Sequence, residues 1–296
     1  MVKIVTPDNY DNKKLDRFIL DTIPNLSRNN LFKAFRQKDI KLNDKRISSN
    51  TAIKAGDIIE IFIDDKLLND KNESLSDSSA PEIVYEDNNI LIVNKRPGIE
   101  VKSLSEESLI SIVTKYLKNK EENIEPTLCH RLDRNTGGLV IIAKNQEALE
   151  VILEKIKNRE VKKYYKCLVV GSPNPKQAEL KHYLFKDSKK SQVYIYDTKR
   201  TGCVEIITKY KVLDAGDEIS KLEVELVTGK THQIRAHLSH IGHPIVGDGK
   251  YGINSINKKF KSKHQMLWAY KIVFDFKEGG ILNYLKGKTF EIEIEW

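Results

Sequence analysis

The amino-acid sequence predicts an α+β chain: a large unit with a mixed, mostly antiparallel sheet and flanking helices, preceded by a small α/β unit. Three observations carry this. From Ile83 to Trp296, apolar runs of strand length alternate with turn residues. A few longer stretches between them carry helical periodicity instead. Residues 64–80 (DDKLLNDKNESLSDSSA) are polar and Ser/Asp/Asn-rich, and read as a flexible linker between residues 1–63 and 81–296.

In the first unit, Leu15, Phe18 and Ile19 fall on one helical face. Pro24 breaks the chain, and Ser27 is positioned as the N-cap of a second helix carrying Leu31 and Phe35. Ile40 to Ile47 alternates as strand, turn and strand, centred on Asn43-Asp44. After the turn at Ala55-Gly56-Asp57, Ile58 to Ile63 reads as a strand.

In the second unit, Ile83-Val84-Tyr85 and Ile90 to Val93 are strands around an Asp87-Asn88-Asn89 turn. Glu106 to Leu117 is a helix with Ser105 as its N-cap, Gly138 to Ala143 a buried strand, and Gln146 to Lys157 a helix. Tyr164–Val170, Glu205–Leu213 and Lys221–Val227 read as strands, Ile234–Ile241 as a short helix and Phe290–Trp296 as a last strand.

Composition narrows the function classes. The chain has 50 Lys and Arg against 42 Asp and Glu, a net charge of +8. A basic excess attracts polyanions, because each neutralised phosphate releases counterions. No stretch approaches 18 consecutive apolar residues and the first thirty residues lack a secretory apolar run. A cytoplasmic protein without a membrane span is expected. Cys129, Cys167 and Cys203 contain no CxxC pair, so reduced thiols are expected rather than disulfides or a zinc site.

Two segments are dense in chemistry. In the first, Cys129-His130-Arg131-Leu132-Asp133-Arg134-Asn135-Thr136-Gly137-Gly138 runs into the buried strand. Two flanking arginines favour an ionised Asp133, a competent nucleophile at neutral pH, and the glycines permit a close backbone approach. The bland alternative is an ion pair of Asp133 with Arg131 or Arg134 that pins a loop. The second segment, Gly229 to Asp248, holds four of the seven histidines. His237 and His240, three residues apart on a helix, have the spacing to share a metal. However, no carboxylate or Cys stands at a partner spacing and HExxH is absent, so no metal is expected. Helix capping by Thr231, with His240 and His243 as polar core residues, is the bland reading here.

Taken together, H-R-L-D-R-x-T-x-G at His130–Gly138 and G-K-T-H-Q-I-R-x-H at Gly229–His237 resemble the RluA family of pseudouridine synthases. Ile83–Asp87, Asn94-Lys95-Arg96-Pro97-Gly98 and Lys163-Tyr164-Tyr165 are similar to further family segments, in family order, over roughly residues 82–275. The resemblance implies that Asp133 attacks a uridine, most plausibly at the anomeric carbon, after which the base rotates and rejoins the sugar through carbon 5. It also implies that Arg235 pairs with that aspartate, where a guanidinium can offer two parallel hydrogen bonds. Tyr165 would stack on the flipped base. His130, Arg131, Arg134, Lys230, Thr231, His232 and Gln233 are expected either to contact RNA or to support the site. Isomerisation needs no redox agent, so no cofactor and no metal is implied.

Three positions depart from the family pattern. Asn135 stands where Asp is frequent, Gly137 where Ser or Thr is frequent, and Trp268 where the family has His. Trp268 is expected to mark a different RNA contact.

Residues 12–63 resemble the alpha-L RNA-binding domain named after ribosomal protein S-four. That unit holds 12 Lys and Arg in residues 1–62 against 8 Asp and Glu. Arg17, Arg28, Lys33, Arg36, Lys38, Lys41 and Asn43 are its expected RNA face, although a charge run is usually a solvated one. The expected substrate is large-subunit (23S) ribosomal RNA, with transfer RNA as a variant, and a monomer suffices. A non-catalytic RNA-binding or ribosome-assembly protein and a metal-dependent hydrolase are the alternatives of other classes. The hydrolase would carry bound metal and lose activity to a chelator, and neither is expected.

Overall fold

The structure is a computed structural model that describes residues 2–23, 26, 28–48, 50–62, 80–103, 108–294 and 296, with the side chains of residues 28–30 left out. The residues form two compact units, Met1–Ser78 and Ser79–Trp296. Pro24, Ser27, Ile63, Ser105 and all of the 64–80 segment except Ala80 lie outside the described residues.

The first unit has a four-stranded antiparallel sheet, built from β1 (Val2–Val5), β2 (Ile40–Leu42), β3 (Lys45–Ile47) and β4 (Ile58–Ile61) in the order β1-β4-β2-β3. Strand β1 has no counterpart in the sequence reading. Helices α1 (Leu15–Thr22) and α2 (Arg28–Gln37) cover the sheet. Leu15, Phe18, Ile19, Leu31 and Phe35 are buried against Ile40, Ile59 and Ile61, because their spacing puts them on one face of each helix. At the β2–β3 turn, Asn43 and Asp44 both have left-handed backbone, φ 47° and 65°, the conformation of a two-residue hairpin.

The second unit contains β5 (Glu82–Glu86), β6 (Ile90–Lys95), α3 (Leu109–Asn119), β7 (Thr127–Leu128), β8 (Gly137–Ala143), α4 (Gln146–Lys157), β9 (Val161–Val170), β10 (Gln177–Asp187) and β11 (Gln192–Tyr196). After these come β12 (Val204–Asp214), β13 (Ile219–Leu226), α5 (Gln233–His240), α6 (Asn254–Lys259), β14 (Leu267–Phe274) and β15 (Thr289–Glu291). One sheet runs β11-β10-β12-β13-β9-β14-β8-β6-β5, with β15 on β14 and β7 on β8. Its pairings are antiparallel except β14 with β8, so the sheet is mixed and mostly antiparallel.

Strand β8 is buried along its whole length. Val140 and Ile142 pack with α3 and α5, while Leu139 and Ile141 pack with α4 and the short 3-10 helix Gly280–Leu285. Alternate side chains point to opposite faces, and both faces are covered, which explains an unbroken apolar run. The loop ahead of β8 is thereby anchored to the most deeply buried strand of the unit.

Several sequence expectations shift. Helix α3 starts at Leu109 rather than Glu106, and its N-cap is Ser108, whose Oγ accepts from the Ser111 amide at 3.3 Å. Helix α5 is not capped by Thr231. Its N-cap is His232 in left-handed backbone (φ 53°), without a side-chain cap bond. The final strand is only Thr289–Glu291, and β7, β10, β11 and β14 are additional. Trp268 and Gly137 face each other across the parallel β14–β8 pairing, and a Cβ at Gly137 would run into the Trp268 ring. The two departures from the family pattern are therefore one packing feature, with Trp268 partly buried over Gly137. Gly138 (φ 113°) lies against the Ala269 backbone, which is the close approach that its lack of a side chain permits.

Candidate active site

Asp133 sits in the turn before β8, closed by the Thr136 amide donating to the Asp133 carbonyl at 3.0 Å. The next peptide is clamped from three sides. Gly98 N and the Lys95 ammonium donate to the Arg134 carbonyl at 2.9 and 3.0 Å, and Arg134 Nε donates back to the Gly98 carbonyl at 2.9 Å. Lys95 is 1% exposed and also donates to the Arg96 and Ile99 carbonyls at 2.9 Å. Three carbonyls match the three N–H groups of an ammonium. Burial pushes its pKa down to about 7, with the Asp133 charge opposing.

Arg235, on the first turn of α5, approaches Asp133 from the other side. Its Nη1 donates to Asp133 Oδ2 at 2.8 Å. The expected two-fold bond to Asp133 is not formed. The fork goes to Asp248 instead, Nε to Oδ2 at 2.7 Å and Nη2 to Oδ1 at 2.9 Å. Asp248 is 1% exposed and accepts also from the Lys250 and Tyr251 amides. Burial works against the charge on Arg235, and the two carboxylates outweigh it, so its pKa is raised. For Asp248, burial raises the pKa but the Arg235 fork prevails and lowers it. Asp133 thus receives a fixed cation from α5, and not from Arg131 or Arg134 as its sequence neighbours suggested. Arg134 is engaged with Gly98, and Arg131 is exposed on the cleft wall.

Tyr165 on β9 is 4% exposed and lines the same cleft. Burial, and then the Asp133 charge, push its phenol above the ordinary range, so it is neutral at physiological pH. The cleft holds about 880 Å³. Arg131, Arg134, Arg159, Lys163, Lys230 and Lys250 contribute to its lining. Lys163 lies beneath Gly229, where a Cβ would be 3.7 Å from its Nζ, and burial lowers its pKa to about 8.

Other predicted residues divide by role. His130 Nε2 accepts from the Ile141 amide at 3.1 Å, and burial drops its pKa to about 3. It therefore supports the loop as a neutral ring. His232 Nε2 stands 4.0 Å from Asp133 Oδ2, with Nδ1 3.0 Å from the Tyr251 hydroxyl. Burial holds its pKa below the ordinary range, against the pull of Asp133. Lys230 and Thr231 are exposed on the cleft wall. Gln233 is buried and its side chain is engaged internally: Nε2 donates to Ile207 O and Thr208 Oγ1, and Oε1 accepts from Lys230 N and Thr228 Oγ1.

In the first unit, Arg17, Lys33, Arg36 and Lys38 are exposed, and the Arg28 side chain lies outside the described residues. Lys41 lies 3.8 Å from Glu60 and over the Phe62 ring. Asn43 is used internally, donating to Asp57 Oδ1 and accepting from the Ile58 amide, both at 2.8 Å.

Asp248 and Lys95 are the residues that sequence reasoning left without a role. A signal was present for Asp248, a carboxylate 13 residues past Arg235 in the second dense segment.

A half-buried carboxylate held by an arginine beside a buried tyrosine, in a basic cleft, is the arrangement that the resemblance implies for an enzyme acting on RNA. Comparison with known proteins agrees. The family model described as RNA pseudouridylate synthase matches residues 89–240. The chain belongs to this family and is an RNA pseudouridine synthase. It is 32% identical over 287 residues to an uncharacterised RNA pseudouridine synthase of Mycoplasma genitalium, spanning 92% of this chain and 88% of that one. It is also 32% identical over 291 residues to the ribosomal large subunit pseudouridine synthase C of Rickettsia bellii, spanning 94% of each. The solved structure of human RNA pseudouridylate synthase domain containing 1 covers 67% of this chain and 80% of its own, at 28% identity and a TM-score of 0.55. No helix among the described residues is long and apolar enough to cross a membrane.

Proposed function

We propose that the enzyme isomerises uridine in large-subunit ribosomal RNA with Asp133 as its nucleophile. The observation that carries this is the single 2.8 Å hydrogen bond from Arg235, which leaves one Asp133 oxygen uncommitted at the cleft. In this reading the uncommitted oxygen attacks the anomeric carbon as the bond to N1 breaks, and the uracil leaves with the electron pair. The base rotates, C5 bonds to the anomeric carbon and displaces the carboxylate, and loss of the C5 proton with protonation of N1 completes the isomer. Nothing is oxidised or reduced. Tyr165 stacks on the base, which has been flipped out of its helix or loop because the glycosidic bond is not reachable in a stack. Arg235 holds the carboxylate in place through its Nη1 hydrogen bond. The ribosomal assignment is supported by relatives such as the Rickettsia bellii protein, whose name specifies the large ribosomal subunit.

In the same proposal, residues 1–63 are an alpha-L type RNA-binding unit that contacts phosphate through Arg17, Lys33 and Arg36. Its removal lowers RNA affinity and flattens the salt dependence of binding, by roughly one unit of slope for each lost phosphate contact. Equal affinity and slope in the truncated enzyme would refute that role.

Pseudouridine mapping of total RNA from cells with and without the gene tests the substrate. Sites lost from large-subunit RNA are expected. Sites lost only from transfer RNA would overturn the ribosomal assignment, and no lost site, together with no product on purified RNAs, would overturn the activity on either.

A further inference from the structure

Outside the cleft, three metal-ligating side chains converge at the far end of α5. His182 comes from β10, Asp197 directly follows β11, and His240 is the last residue of α5. Their ligand atoms all lie within 4.8 Å of one another. Asp197 Oδ1 is 2.7 Å from His240 Nε2 and 3.5 Å from His182 Nε2. We propose that His182, Asp197 and His240 bind a divalent cation of the zinc class, which clamps α5 to the β10–β11 hairpin.

The spacing fits the cation. Zinc bonds of roughly 2.0–2.1 Å in a tetrahedron place neighbouring ligand atoms about 3.4 Å apart. Of the three pairs, Asp197–His182 already has that separation, Asp197–His240 needs to open by less than an ångström, and His182–His240 lies within 4.8 Å. Two imidazoles and a carboxylate form a borderline donor set that suits zinc, with the fourth position open to water. The side chains are reachable, with His182 and His240 about a quarter exposed or less and Asp197 77% exposed.

Behind the ligands stands a buried support. His182 Nδ1 is 2.7 Å from Nε2 of His237, which is fully buried, and His237 Nδ1 is 2.9 Å from Thr208 Oγ1. Thr208 in turn accepts from Gln233 Nε2 at 3.0 Å. A metal-binding imidazole is usually oriented by a hydrogen bond from its other nitrogen. Here a cation on His182 Nε2 sets the whole chain of tautomers. His182 donates from Nδ1 to His237, His237 donates from Nδ1 to Thr208, and the Thr208 oxygen accepts both His237 and Gln233 through its two lone pairs. His237 and His240 therefore do not share the cation, despite their spacing on the helix. His237 turns inward as the support, and the missing ligands come from β10 and from Asp197, just past β11. The clamp is structural and separate from the isomerisation, which needs no metal. Its effect on the enzyme runs through α5, whose first turn carries Arg235.

The test is Zn2+ titration of the full-length, chelator-stripped enzyme by calorimetry, with Co2+ as a spectroscopic probe. One ion per chain is expected, with visible absorption of tetrahedral Co2+ intensity. Saturating Zn2+ should raise the melting temperature by about 4 °C or more. Asp197→Asn and His182→Gln should each weaken binding at least tenfold and remove the shift. Because Asp197 is exposed, its variant tests binding without threatening the fold. Absence of stoichiometric binding to the parent, or equal binding to parent and variants, would overturn the site.

Discussion

The two sides of Arg235 present the same residue type in opposite conditions. On one side Asp248 is sealed, with a side chain 0% exposed, two bonds from the guanidinium and two from backbone amides. On the other, the Asp133 side chain is 24% exposed and accepts one bond from the same guanidinium. The difference separates anchoring from chemistry. A carboxylate that is sealed and accepts four hydrogen bonds fixes the arginine but presents no oxygen to a substrate. The half-open one keeps an oxygen free at the cleft and is held by a cation that its partner fixes in place.

The largest effect should come from removing the shared cation. Arg235→Met leaves Asp248 buried and unpaired, so we expect a loss of about 3–5 kcal/mol in denaturant unfolding together with loss of product. Unfolding unchanged from the parent would show that Asp248 is not sealed in solution. Next, Asp248→Asn should cost roughly 2–3 kcal/mol and Asp133→Asn no more than about 1 kcal/mol, because only the former breaks a fully desolvated network. Equal costs would erase the contrast. The Asp248 variant should also lose kcat with little change in KM, since Arg235 then aims Asp133 less well.

The frame behind the Asp133 loop offers a smaller test. Gly137→Ser pushes into Trp268 and should destabilise by about 1–3 kcal/mol. Adding Trp268→His should recover most of that, whereas additive losses would mean the two positions are independent. A last test concerns acid. His130 is held neutral with a pKa of about 3, below its ordinary 6.5, so between those values the unfolded chain binds the proton and the folded one does not. The contribution is complete above pH 6.5 and declines as the pH falls toward 3. Stability measured across that window should have a slope about one proton smaller in His130→Gln. An unchanged slope would place the titration elsewhere.

Much of the site was legible because it is dense in sequence. Asp133 and Arg235 lie in two compact motifs and Tyr165 in a third, and the structure brings them to one cleft. What escaped is what the tertiary fold decides. Arg235 chooses between two carboxylates, and nothing local to either reveals which receives the fork. Lys95 stands in a family-like segment without a role of its own until its ammonium is found under three carbonyls. Strand β10 alternates charged and partly buried residues on a half-exposed part of the sheet, and so resembles a loop when read by apolar runs alone. The convergence of His182 with His240 depends on that strand and stayed hidden with it. Gly137 and Trp268 looked like two unrelated departures because parallel pairing of β8 with β14 joins positions more than a hundred residues apart.

The central claim is that Asp133 is the nucleophile, held by Arg235 on an anchor of Asp248. It is tested most directly by tritium release from ribosomal RNA labelled at uridine C5, since that hydrogen is lost when C5 takes the glycosidic bond. Steady release by the parent enzyme is expected. For Asp133→Asn the expected result is a loss on the order of 10^4-fold or more, with RNA affinity and unfolding close to the parent's. Release by Asp133→Asn at the parent's rate would contradict the claim.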